Sequence, residues 1–319
     1  MKKILPAVIV AALMAITFTG CEDEKDNNLI INSETKSSGE ATQNKPLRDS
    51  TPVCLVPTVG GARSDLVFGC DVATVDASNS EEGYVIVNYF GTSEKVKLKI
   101  TGPDNVEYVY TLHGGEEVFP FTAGNGDYNI KVYEIITGDQ YAVVLNEVFN
   151  VNITNQFGPY LYPNQYVNFK SSDKTITLGS QICKNSTSEL ETVEAVYNYV
   201  VENITYDKEK AMTVQSGYLP VIDETVSTKT GICFDYAAVM ASMLRSQRIP
   251  TRMELGYVDE VYHAWISTYI TDIGWVNGII AFDGESWTMM DPTFAATSGK
   301  DETKDFVGSG SNYQRKFVY

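Results

Sequence analysis

Three residues in one order could carry out acyl transfer: Cys233 in "TGICFDYAAVM", His263 in "YHAWISTYI" and Asp291 in "WTMMDPTF". A thiolate attacks carbonyl carbon, an imidazole can take the thiol proton, and a carboxylate can hold that imidazole in the tautomer that offers sulfur a free nitrogen. The whole chain has only two histidines, and His263 is the base of this set. The other, His113 in "TLHGGEE", reads as a hairpin or strand-end residue with no cysteine or histidine near it. Histidines so far apart and scattered cysteines give no ligand cluster of usable spacing, so neither a metal nor another cofactor is expected.

These residues need elements to position them. Gly231 lets the chain turn, and Tyr236, Ala237, Val239, Met240, Met243 and Leu244 then follow helical spacing until Pro250 stops the run. Cys233 therefore falls in the first turn of a helix, where unpaired amides and the positive end of the dipole favour negative charge. "TRMELGYV" alternates as a strand. The next strand begins near His263 and sets Trp265, Ser267 and Tyr269 on the same side. Asp291 falls at a strand end, where Pro292 interrupts the ladder. Upstream, Leu190, Val193, Val196, Tyr197, Val200 and Ile204 form a helical stripe, with Ser186 and Glu189 as a candidate capping box. Residues 207–228 show little periodicity and read as a loop.

Together "GICFDYA", "HAW" and "WTMMDPT" resemble the transglutaminase-like superfamily, relatives of the papain-type cysteine proteases, over residues 186–297. The resemblance implies an α+β fold in which a helix bearing the nucleophile packs on an antiparallel sheet carrying the base and its orienting acid. Cys233, His263 and Asp291 would fill those roles. "ITYD" at 204–207 also resembles the family's lead-in, with Tyr206 and Asp207 as structural support. The chemistry is a thioester formed from an amide and resolved by water or an amine. The Cys233 backbone amide is one candidate oxyanion donor, and Trp265, Tyr206 and Gln215 are candidates for the second. Hydrolysis of proteins or cell-wall peptides is the expected outcome. Glutamine-to-amine crosslinking is an alternative, and so is a non-catalytic binding or scaffold role.

Residues 81–156 speak for strands. "YVIVNY", "KVKLKITG", "VEYVYTL" and "YNIKVYEI" are separated by turn sequences, and Val96, Leu98 and Ile100 alternate with Lys95, Lys97 and Lys99 as in a sheet with one wet face. The expectation is a separate Ig-like β-sandwich domain preceding the catalytic one. Residues 53–80 form an unassigned lead-in, 157–185 a connecting segment and 298–319 a C-terminal tail.

The start of the chain has basic Lys2 and Lys3, the apolar "ILPAVIVAALMAITF" and then "FTGC". That order is a signal peptide's. "FTGC" resembles the lipobox of bacterial lipoproteins, with Phe18 where that family usually has Leu; the resemblance implies cleavage after residue 20 and lipidation of Cys21. Residues 21–52 are poor in apolar side chains and read as a disordered tether. The expected location is the extracytoplasmic face of the cell membrane, held by lipid. A formal charge of −17 argues against nucleic acid as a partner. Of the five cysteines, Cys54 and Cys70 are spaced to allow a bridge in an oxidising compartment.

Overall fold

Alternating apolar and polar side chains organise the first half of the chain into antiparallel strands. In a computed structural model that describes residues 45–258, 260–277, 280–282, 287–289 and 313–319, these are β1 (Val67–Gly69), β2 (Ala73–Asp76), β3 (Tyr84–Tyr89), β4 (Val96–Thr101), β5 (Glu107–Leu112), β6 (Gly115–Pro120), β7 (Gly126–Thr137) and β8 (Gln140–Val151). One sheet has the order β1-β2-β3-β6, the other β5-β4-β7-β8. Val96, Leu98 and Ile100 are buried while Lys97 and Lys99 face outward, the pattern expected of a one-sided sheet. Phe68 of β1 stacks on Phe149 of β8, and Tyr110 of β5 meets Phe119 of β6 edge-on, so the inner faces share one core.

The second half is α1 (Lys174–Cys183), α2 (Glu189–Asn203), β9 (Thr205–Tyr206), α3 (Lys208–Thr213), α4 (Ile222–Thr228), β10 (Thr230–Gly231), α5 (Cys233–Ser246), β11 (Thr251–Val258), β12 (Val261–Ile270), β13 (Gly274–Asn277), β14 (Ile280–Phe282), β15 (Trp287–Met289) and β16 (Tyr313–Val318). Strands β13-β12-β11-β16 make an antiparallel sheet. Helix α5 packs on β12 and β11 and is flanked by α1, α2 and α4. Every α5 residue from Asp235 to Ser246 is buried, which explains why apolar side chains are spread around the helix rather than confined to one stripe. The architecture of this half is mixed α+β.

Several expectations are corrected. No distinct Ig-like sandwich domain stands out, and the described residues fall in one compact unit. The reason lies in the aromatic side chains of β5: Tyr108 meets Phe317 and Tyr319, and Tyr110 meets Tyr166 and Tyr319, all from the second half. The lead-in contributes β1 and β2, the connecting segment contains α1, and the supposed loop at 207–228 contains α3 and α4. The supposed tail contains β16, which pairs with β11. The α2 cap sits two residues later than expected: Ser188 accepts from the Glu191 N–H at 3.2 Å, and Glu191 accepts from Thr187 N at 2.6 Å. Cys54 and Cys70 are unbridged.

The end of the supposed tether is docked. Val53 N donates to Ser246 O at 2.8 Å, Gln247 Nε2 donates to Ser50 O at 3.0 Å, and the Arg48 guanidinium donates to Gln247 O. The Val53 and Arg48 bonds satisfy carbonyls left open where α5 ends. Fully buried Arg245 ties distant parts together by donating to Thr251 O, Tyr162 O and Tyr319 O at 3.0, 2.7 and 2.9 Å. Cys21 and Asp291 lie outside the described residues.

Candidate active site

Cys233 is the first residue of α5 and is partly exposed. A first helical residue has no acceptor for its main-chain N–H within its own helix. What brings the chain to this point is a short parallel pair: β10 runs beside β9, with Thr205 N donating to Lys229 O at 2.8 Å and Asp207 N to Gly231 O at 2.9 Å. Tyr206 and Asp207 thus belong to the support of the Cys233 turn, and Asp207 also caps α3 through Lys210 N at 2.8 Å. Gly231 is needed for space more than for turning. A Cβ there would lie 2.9 Å from Asp235 Cβ and 3.1 Å from Thr225 Cγ2.

Asp235, which the sequence reading did not single out, is the fastening of this turn. Its carboxylate is fully buried and accepts from Ile232 N at 2.8 Å, from Lys210 Nζ at 2.7 Å and from the Tyr218 hydroxyl. The bond back to Ile232 is half of a capping box, so an acidic residue three positions after the N-cap was the available signal. Burial works to lower the Lys210 ammonium, but its bonds to Asp235 and Tyr218 outweigh this and its pKa is raised. Burial and the Asp235 bond push Tyr218 up to about 12.

His263 is buried near the start of β12, opposite Gly256 of β11. After α5 ends, β11 and β12 form an antiparallel pair, and α5 packs on both strands. Fourteen helical residues span about 21 Å and the first six of β11 roughly 20 Å. With lengths so matched, a β11 running antiparallel to the helix would bring the β11–β12 turn, and His263 with it, to the Cys233 end of α5. At this end the thiol is near enough to Tyr262 to help raise its hydroxyl pKa, after burial and Tyr257. The His263 ring lies nearly parallel to Trp265, centroids 6.2 Å apart. Trp265 Nε1 donates to Glu254 Oε2 at 2.7 Å, and Glu254 also receives Arg315 at 3.2 Å. The indole is therefore committed and is removed as an oxyanion donor. Gln215 is exposed and its amide donates to Thr213 O at 2.7 Å. Tyr206 stays beside the Cys233 turn, its ring edge-on to Tyr236.

Residues 176–278 match the family model of the Transglutaminase-like superfamily. Uncharacterized protein YebA of Bacillus subtilis is 22% identical over 212 residues, which are 60% of this chain and 28% of the relative. A protein of Methanocaldococcus jannaschii is 35% identical over 63 residues, 18% of each chain. The chain thus matches less than a third of the length of these curated relatives. Among solved structures, a candidate cysteine protease from Cytophaga hutchinsonii aligns over 79% of this chain and 73% of its own, at 14% identity and TM-score 0.37. Red sea bream transglutaminase aligns over 67% and 48%, at 13% identity and TM-score 0.31. Nothing about the reaction rests on these two likenesses. The family match runs from within α1 through β13 and includes Cys233 and His263, so this stretch of the chain is similar to the transglutaminase-like superfamily.

Proposed function

We propose that this protein is a cysteine-dependent hydrolase of amide bonds in proteins or peptides, cell-wall peptides included. The observation that supports the reading is a partly exposed cysteine opening a buried helix, with a histidine in a strand on which that helix packs. Cys233 Sγ attacks the amide carbonyl carbon while His263 takes the thiol proton. The C–N bond then breaks, the imidazolium returns its proton to the departing amine, and a thioester remains. Water, deprotonated by His263, attacks the thioester; the acid leaves and the proton goes back to sulfur. Asp291 orients the imidazole, and the Cys233 N–H is a donor to the tetrahedral oxyanion.

The test incubates the protein with denatured proteins, short peptides and wall fragments, with and without a labelled primary amine. New free amino groups should exceed amine-coupled product. Cys233→Ala and His263→Ala should each lower turnover by about 100-fold or more, and Asp291→Asn should leave a weak residue of activity. Because the three act as a unit, their effects should not add. Dominant amine incorporation by mass spectrometry would replace hydrolysis with the crosslinking reading. Identical behaviour of the wild type and a folded Cys233→Ala, with an unreactive Cys233 thiol, would favour a binding or scaffold role.

A further inference from the structure

The outward face of β4 and β5, which the sequence presents as simply wet, is partly covered. Opposite it runs the segment joining α3 to α4, where Gly217 has φ +88° and a Cβ would lie only 3.4 Å from Thr111 Oγ1. Between the two is a cavity of about 260 Å³ that Lys97, Thr111, His113, Gln165 and Tyr166 help to line. We propose that this cavity is a subsite for a carboxylate carried by the peptide substrate, with Lys97 as its cation; the inference rests on the amide-hydrolase reading above.

Position is the first argument. The Tyr166 ring meets the Phe234 ring edge-on at 5.3 Å, and Phe234 directly follows Cys233. Tyr218, on the covering segment, lies 6.3 Å from Phe234 and bonds Asp235. One aromatic wall therefore separates the cavity from the start of α5. A peptide lying across Cys233 could place a side chain or terminus behind that wall.

Charge is the second. Glu117, at the edge of this wall, is already engaged: it accepts from His113 N at 2.7 Å and Gln165 Nε2 at 2.6 Å, and lies 3.5 Å from His113 Nδ1. Lys99, two residues along β4, is paired with Glu107 at 3.0 Å. Lys97 differs. Its ammonium donates to Thr111 Oγ1 at 2.7 Å, and among the described residues no carboxylate lies within ion-pair range of it. An ammonium has three donors, so a ligand can take the others. In a chain of formal charge −17, a lysine held at a cavity without an acidic partner is a local reversal of sign, and a carboxylate is the group it selects.

The test uses the full chain carrying Cys233→Ala, so that binding is read without turnover. Calorimetry compares a capped Gly-Glu-Gly peptide, its Gly-Gln-Gly isostere and free glutarate. The Glu peptide should bind about tenfold tighter than the Gln peptide, as a charged hydrogen bond predicts, and glutarate should bind more weakly than the Glu peptide. Lys97→Met should abolish the preference, and Lys97→Gln, which can still bond Thr111, should abolish it too at unchanged melting temperature. Equal or undetectable affinity for the two peptides, a preference that survives both Lys97 variants, or glutarate binding as tightly as the Glu peptide would overturn the subsite. Turnover by the protein with intact Cys233 is scored separately, so loss of the preference with turnover intact sinks this proposal alone.

Discussion

At the residue scale, what sets Cys233 apart is its surroundings. Cys183 is buried, and burial pushes its thiol up to about 11 despite the opposing influence of Arg48. Burial, followed by the nearby Asp173 charge, also raises Cys54. Cys233 opens a helix and is partly exposed. Limiting iodoacetamide at neutral pH should accordingly label Cys233 before Cys54 and Cys183, and His263→Ala should slow that labelling at least about tenfold. Peptide mapping over a time course checks both; equal labelling of Cys183 would count against an activated thiol. That Cys233 opens a helix and His263 stands near the start of a strand was legible because rare residue types stood out against simple periodicity. The fate of Trp265 was not, since its indole is claimed by Glu254 across a strand pair. Nor was the cluster around Asp235, assembled from three separate elements.

At the element scale, helix bodies were easier to read from the sequence than helix termini. The α5 and α2 stripes are apolar where the sequence places them, yet the α2 cap is displaced and α1 is capped from elsewhere. Asp173 stands at the α1 N-cap without a capping side-chain bond, and Asp223 at the start of α4 supplies the acceptor, taking Thr175 N at 2.8 Å, Thr175 Oγ1 at 2.7 Å and Lys174 N at 3.1 Å. No local pattern announces a cap from a residue so far along the chain. Partial burial raises the Asp223 carboxyl, but these bonds outweigh it and the net shift is downward. A carboxyl lowered on folding stabilises the protein above its unfolded pKa of about 3.9 and loses that contribution as pH falls through the lower folded value. Asp223→Asn should therefore cost about 1 kcal/mol at pH 7, and the gap from wild type should close below about pH 4. Urea melts across pH read this directly. A gap that stays constant into acid would mean that the lost contribution was steric.

At the scale of the whole molecule, sequence periodicity marks the strands of both halves but not their union. Nothing local in Tyr108, Tyr110, Tyr166 or Tyr319 says that their rings meet, and nothing local in Arg245 says that it joins the carbonyls of three distant segments. Such long-range closure is why strand-rich residues that read as their own domain share a core with α5 and its sheet. Location belongs to this scale as well. We propose on the strength of "FTGC" that the protein is held at the membrane by lipid on Cys21, since paired acyl chains anchor stably where a single one does not. Cys21→Ala should move it from the membrane fraction to the medium or stall its processing. Equal membrane retention of a normally cleaved variant would remove the anchor.

The docking of residues 48–53 on the last residues of α5 has a mechanical consequence. A pull transmitted through the chain ahead of Lys45 would load the bonds at Ser246, Gln247 and Arg248. Cys233 sits at the opposite end of the same helix, about 21 Å away. Tension would peel a short strap before it strained the first turn or the Asp235 fastening, and the Cys233 end of α5 is thereby isolated from load.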